Sequence, residues 1–110
     1  MKAYKLFRVR KDGSLGPLFI GASKRIELGE WLEAEDIPTK GYAHRPGWHS
    51  GALPDAPHLS ERGRVWVECE IKDHYKFVRP KNQGGYWWIS KWLKANRILS
   101  TEEVLSLRSA

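Results

Sequence analysis

The sequence predicts a small α+β domain built on a mostly antiparallel, curved sheet, with a long functional loop and one or two short helices. Residues 64–71, RVWVECEI, alternate strictly between polar and apolar positions, as a strand with one buried face does. Prolines and glycines crowd residues 37–63, a density that breaks regular structure and indicates a long loop. The 110 residues are near the commonest domain size, so we expect a single domain over residues 1–110.

The N-terminal third predicts a hairpin followed by a short helical segment. Residues 3–10 and 17–20 are rich in aromatic and branched side chains, and the Asp12-Gly13 pair between them is a turn signal. The sequence LGEWLEAE at 28–35 has helical spacing, but Gly29 and the short length limit it to one or two turns. We therefore expect a β-hairpin and a brief helical segment ahead of the loop.

The remaining sequence predicts further strands and a closing helix. Residues 79–85 are rich in turn-forming residues, and Ser100 with Glu103 matches a capping box, which predicts a helix over residues 101–107. The aromatic run after the turn favours two strands separated by a bend, and part of the long loop is compatible with a short strand. These strands are expected at residues 41–45, 86–90 and 95–99.

Charge and cysteine content indicate the partner and the compartment. The chain has 19 Lys and Arg against 13 Asp and Glu, so an anionic partner such as nucleic acid, a nucleotide or an acidic protein face is expected. Basic residues crowd the first and last strands, which would form one basic face if these strands are neighbours. The single cysteine, Cys69, excludes an intrachain disulfide and favours the cytoplasm. No secretion signal and no membrane-spanning stretch is predicted.

Residues 41–51, GYAHRPGWHSG, are the most distinctive segment for function. Arg45 can hold a phosphate, the Trp48 ring can stack on a base or sugar, and His44 and His49 can donate hydrogen bonds or transfer protons. The outward face of the 64–70 strand is expected to form a second wall. The predicted ligand-binding residues are His44, Arg45, Trp48, His49, His58, Arg64 and Trp66.

The same residues allow other interpretations. Trp48 can instead fill the core while Arg45 pairs with an acidic residue, and Trp66 can pack under a loop. In an enzyme, His49 would act as general base with Glu68 or Glu70 as its carboxylate partner, on a nucleotide-type substrate. The three loop histidines and the cysteine are enough ligands for zinc, but their spacing matches no recurrent zinc motif, so no metal and no cofactor is predicted.

The segments RPGWH at 45–49, APHL at 56–59 and GRVWVE at 63–68, with QGG at 83–85, resemble a group of short bacteriophage and prophage proteins to which no activity is assigned. The resemblance spans most of the chain. It implies a phage or mobile-element setting, hence the cytoplasm of a bacterial host cell, and a role in interfering with host processes.

The leading functional hypothesis is a small phage-type binding protein for a nucleotide or nucleic-acid phosphate. A hydrolase or transferase that uses the His49 and Glu68 pair is the first alternative, and a phage structural or protein-interaction module is the second. The sequence does not separate the three, because each uses the same aromatic and basic residues.

Overall fold

The computed structural model describes residues 1–18, 24–34 and 47–109, which form a small domain of strands with one C-terminal helix. The elements of this part of the chain are β1 (Lys2–Val9), β2 (Leu15–Gly16), β3 (Trp31–Glu33), β4 (Trp48–Ser50), β5 (Arg64–Val78), a 3-10 turn (Lys81–Gln83), β6 (Tyr86–Ile98) and α1 (Thr101–Arg108). This helix is too short to span a membrane, and the described residues contain no other α-helix.

The strands form one antiparallel sheet that curls into a half-barrel. Their order is β2-β1-β5-β6-β3, and β4 pairs with the same edge of β6 as β3 does. Tyr4 and Gly51 exchange backbone hydrogen bonds of 2.8 and 2.7 Å, which brings β1 against the end of β4. The prediction of a mostly antiparallel, curved sheet with a short helix is therefore confirmed.

Each face of the sheet carries its own hydrophobic core, because alternate residues of the central strands point to opposite faces. The inner core is centred on Phe7, Val67 and Leu93, inside the curl. The outer core contains Leu6 and Trp66 and lies between the sheet, the loop that follows β4, and α1. Both faces of β5 are thus covered over its first half, which leaves little of residues 64–71 open to a ligand.

Two predicted elements are wrong in type or extent. Residues 31–33, expected to be helical, form β3, because pairing with Leu93 and its neighbours on β6 overrides a weak helical spacing. The bend expected between residues 90 and 95 is absent, and β6 runs unbroken through it. Opposite Glu68 and Cys69 the register shifts by one residue, which leaves Asn96 of β6 as the extra residue of a bulge.

Other predictions stand in part. The N-terminal hairpin forms, and its return strand is Leu15–Gly16. The return strand was expected at residues 17–20, of which 19 and 20 lie outside the described residues. Within the expected long loop, residues 48–50 form β4, and the strand expected at 41–45 also lies outside the described residues. The loop is therefore interrupted by a strand that helps to close the sheet.

The long β5–β6 hairpin extends past the rest of the sheet. Among the described strands, only β5 and β6 pair at its far end, where Phe77 faces Trp87 and Val78 faces Tyr86. The chain reverses through the 3-10 turn and Gly84, whose φ of 96° is accessible mainly to glycine. The turn predicted at residues 79–85 is confirmed.

The terminal helix begins as the sequence predicts. Ser100 Oγ accepts a hydrogen bond from the Glu103 backbone N–H at 3.1 Å, and the Glu103 carboxylate accepts from the Ser100 N–H at 3.1 Å. At the other end, Arg108 donates to the Pro54 carbonyl at 2.7 Å and to Glu61 at 3.0 Å. These contacts hold α1 over the outer core.

Candidate nucleic-acid interface

The predicted ligand-binding residues that the structure describes do not meet on one surface. His44 and Arg45 lie outside the described residues. Trp48 packs against the inner core, whereas Trp66 belongs to the outer core, so the two tryptophans lie on opposite faces of the sheet.

Trp66 is a structural residue on the face expected to be the second wall. Its side chain is buried among the residues of the outer core, and its indole N–H donates to Glu61 Oε2 at 3.0 Å. The loop after β4 does fold over this face, with Ala56 and Leu59 in contact with the outer core. Hydrophobic packing fills the space, and the alternative in which Trp66 packs under a loop is the one observed.

Trp48 and the two loop histidines have separate surroundings. The Trp48 indole donates to the Leu32 carbonyl at 3.0 Å and lies against the inner core. His49 is exposed on β4. The ring of His58 packs edge-on against Trp87, with 5.7 Å between centroids, and partial burial lowers the pKa of His58.

Glu68 and Arg64 are engaged with neighbouring groups. The Glu68 carboxylate lies 3.0 Å from Lys2 Nζ and 2.7 Å from Arg97 Nε, and the hydrogen bond from Lys2 is the main reason that the pKa of Glu68 is lowered. Such a carboxylate stays ionised and joins three strands, which is a structural role. Arg64 donates to the Ser60 carbonyl at 2.8 Å.

The same ion pairs correct the expected basic face. Strands β1 and β6 are not neighbours, because β5 lies between them and places Glu68 beside both Lys2 and Arg97. The positive charges of the two terminal strands are thus partly neutralised where they come closest.

The structure instead gathers cations and aromatic rings along the β5–β6 hairpin. The ammonium nitrogen of Lys72 lies 3.9 Å from the centre of the Trp31 ring and 5.7 Å from that of Trp92. Lys94 lies 5.1 Å from the same Trp31 ring. We call Trp31, Lys72, Trp92 and Lys94 the tryptophan–lysine cluster.

Within the described part of the chain, the lysines of this cluster have no carboxylate partner, since no ion pair forms with Lys72 or Lys94. The two nearest glutamates in register are engaged elsewhere: Glu33 with Lys91 at 3.8 Å, and Glu70 with the terminal amine at 3.7 Å. An ammonium group over an indole keeps its full charge, whereas an ion pair would cancel it.

The far end of the hairpin repeats the combination. Lys76 lies 4.3 Å from the centre of the Tyr86 ring, and the Arg79 guanidinium lies 5.4 Å from that of Phe77 and donates to the Gln83 side chain. Residues 74–100 contain six lysines and arginines and no aspartate or glutamate. Lys91 and Arg97 of β6 pair with Glu33 and Glu68. Towards the tip, by contrast, no described carboxylate forms an ion pair with Lys76, Arg79 or Lys81.

The absence of carboxylates over residues 74–100 is visible in the sequence and could have indicated this surface. The role of Trp31 could not, since its place beside Lys94 depends on the pairing of β3 with β6. Comparison of the chain with protein-family models, curated proteins and solved structures gives no match.

Proposed function

We propose that this protein binds nucleic acid through the β5–β6 hairpin, with a base stacked on Trp31 and phosphates held by Lys72 and Lys94. The observation that carries the proposal is that two ammonium groups share one partly exposed indole, 37% of whose residue surface is accessible. Among the described residues no carboxylate forms an ion pair with either ammonium group. Stacking rings beside backbone-tracking cations are what single-stranded nucleic acid requires.

Binding needs only a local exchange of partners. An exposed cation–ring contact is worth about 0.5–1 kcal/mol, so an ammonium group can leave the ring for a phosphate at small cost. A base that then stacks on the freed indole gains about 1–3 kcal/mol, and the release of counterions from the phosphates adds to this. The cluster thus holds the ring and the cations close to where a nucleotide unit needs them.

The rest of the hairpin extends the same surface. Lys76, Arg79 and Lys81 continue the positive charge towards the tip, and Tyr86 offers a further ring. These cations can then contact several successive phosphates of one nucleic-acid strand. The hairpin should therefore bind an oligonucleotide more tightly than a single nucleotide. A free nucleotide offers the same phosphate and base, so it is expected to bind more weakly at the same place.

The test is the salt dependence of binding to a fluorescent single-stranded oligonucleotide, measured by anisotropy. For single strands the slope of log K against log salt is about −0.7 for each phosphate neutralised, so the double variant Lys72→Ala/Lys94→Ala should flatten the slope by about 1.4. The matched control is Lys11→Ala/Arg62→Ala, which removes two exposed cations that lie outside β5 and β6.

The control should change the slope little. Equal effects of the two double variants would mean that binding follows net charge alone, and the absence of binding by the natural protein would refute the proposal. A duplex and a set of mono- and dinucleotides, measured in parallel, identify which form of nucleic acid the site prefers.

A further inference from the structure

Three buried polar atoms without a hydrogen-bond partner lie side by side on β4 and β6. They are Ser50 Oγ, Ser90 Oγ and the indole nitrogen of Trp88, and the two serines are 0% and 1% exposed. Ser50 pairs with Trp88 across the two strands, and Trp48 pairs with Ser90. Directly opposed residues of antiparallel strands share a face and have Cβ atoms about 5 Å apart, so the three side chains project from one patch of the sheet.

This region faces the inside of the half-barrel. Trp48 and Trp88 both pack against the inner core, and residues two apart on a strand share a face, so the two serines point the same way. Lys5 reaches the region from β1, beside Phe7 of the inner core. Its ammonium group donates to the His49 carbonyl at 2.7 Å, directly before Ser50, and lies 5.9 Å from the Trp48 ring centre.

The groups gathered here are mostly hydrogen-bond donors. An ammonium group has three N–H bonds, of which the His49 carbonyl takes one, and the indole N–H and two hydroxyls add three more. In the described residues no carboxylate forms an ion pair with Lys5. Burial lowers the pKa of Lys5 to about 8, which is the expected behaviour of an ammonium group that lacks a counterion.

We infer that Lys5, Ser50, Ser90 and Trp88 form an internal binding site for a small inorganic anion. An acceptor-only ligand satisfies the unpartnered donors and supplies the negative charge that Lys5 lacks. Because both serine side chains are already enclosed, the ion has to be small, such as chloride or nitrate. The site is separate from the tryptophan–lysine cluster and does not depend on the proposed function.

The test is thermal unfolding of the full chain in sodium chloride, sodium nitrate and sodium gluconate at equal ionic strength. Gluconate is too large to enter, so the melting temperature should be higher in chloride or nitrate by a few degrees. The line width of chlorine NMR, which broadens when chloride exchanges with a protein site, should increase with the natural protein and less with Lys5→Met.

Two further variants make the outcome decisive. Ser90→Ala leaves every charge in place and should reduce the gain in melting temperature, whereas Lys11→Met removes an exposed lysine elsewhere and should leave it intact. Equal melting temperatures in all three salts, or equal line broadening by the natural protein and Lys5→Met, would overturn the inference and leave ordered water as the occupant. Oligonucleotide affinity at fixed chloride reports separately on the hairpin.

Discussion

The Lys72 ammonium group lies 3.9 Å from the centre of the Trp31 ring although the two residues are on strands that do not pair. Strand β6 lies between β3 and β5, and the lysine side chain crosses it over Trp92. The contact therefore forms only when all three strands are in register. It ties the cation–ring arrangement to the folded sheet rather than to any local sequence.

Replacement of Trp31 by leucine should weaken binding to a single-stranded oligonucleotide about fivefold or more, because stacking on an aromatic ring is worth about 1–3 kcal/mol per base. The melting temperature should change little, since 37% of the residue is exposed and β3 keeps its backbone pairing. Anisotropy and thermal unfolding of the same preparation measure both quantities.

Tyr75 provides the matched control for this substitution. It is also an exposed aromatic residue of the hairpin, but within the described residues no lysine or arginine lies over its ring. Tyr75→Leu should therefore cost much less affinity than Trp31→Leu. An equal loss would indicate general hydrophobic contact rather than a stacking position held by lysines.

The parts of the fold that the sequence predicts are those with a local signal. The alternation over residues 64–71 and the capping box at Ser100 are each contained within a few residues, and both predictions are confirmed. Strand β3 carries no such signal, because three residues including Trp31 are stable as a strand only through pairing with β6.

The candidate site was harder to predict for the same reason. The chemistry of an indole ring favours Trp48 and Trp66 as stacking residues, yet every tryptophan has that chemistry. What distinguishes Trp31 is its cross-strand neighbour Lys94 and the approach of Lys72 from a third strand. Strand order decides both, and strand order cannot be obtained from residue types.

Trp66 should prove to be a stability residue. Trp66→Ala removes a buried ring from the outer core and should lower the free energy of unfolding by about 3–5 kcal/mol. Trp66→Phe should cost less, because a ring remains and the exposed Glu61 carboxylate regains water. Urea unfolding measures both. A Trp66→Phe variant of unchanged stability that loses oligonucleotide affinity would instead support a stacking role.

The N-cap of α1 offers a further test of how the outer core is closed. Ser100→Ala removes the acceptor of the Glu103 N–H and should lower the free energy of unfolding by about 1 kcal/mol. Ser106→Ala is the control, since Ser106 is exposed in the interior of the same helix. Chemical denaturation of both variants should show a loss for the first and little or no loss for the second.

The free energy of unfolding should depend on pH because the pKa of Lys5 differs between the folded and the unfolded chain. Its pKa is about 8 in the folded chain against 10.5 as the ordinary value, because burial disfavours the charged form. Between these values the unfolded chain binds more protons than the folded chain, so this group makes stability rise with pH, by at most about 1.4 kcal/mol per pH unit. Below pH 8 both states are protonated, and the contribution is constant and unfavourable.

Above pH 9, ionisation of Cys69 changes the stability in the opposite direction to deprotonation of Lys5. Burial raises the pKa of Cys69 from 9.0 to about 12, so above pH 9 the unfolded thiol loses its proton first and stability falls. The rise in stability that is due to Lys5 is therefore clearest between pH 8 and 9.

Urea unfolding in gluconate buffer should show that Lys5→Met is more stable than the natural protein at pH 7. The difference in stability between the two proteins should then decrease between pH 8 and 9. Lys11→Met, an exposed control, should give a curve parallel to that of the natural protein, and a parallel curve for Lys5→Met would contradict a desolvated amine at this position.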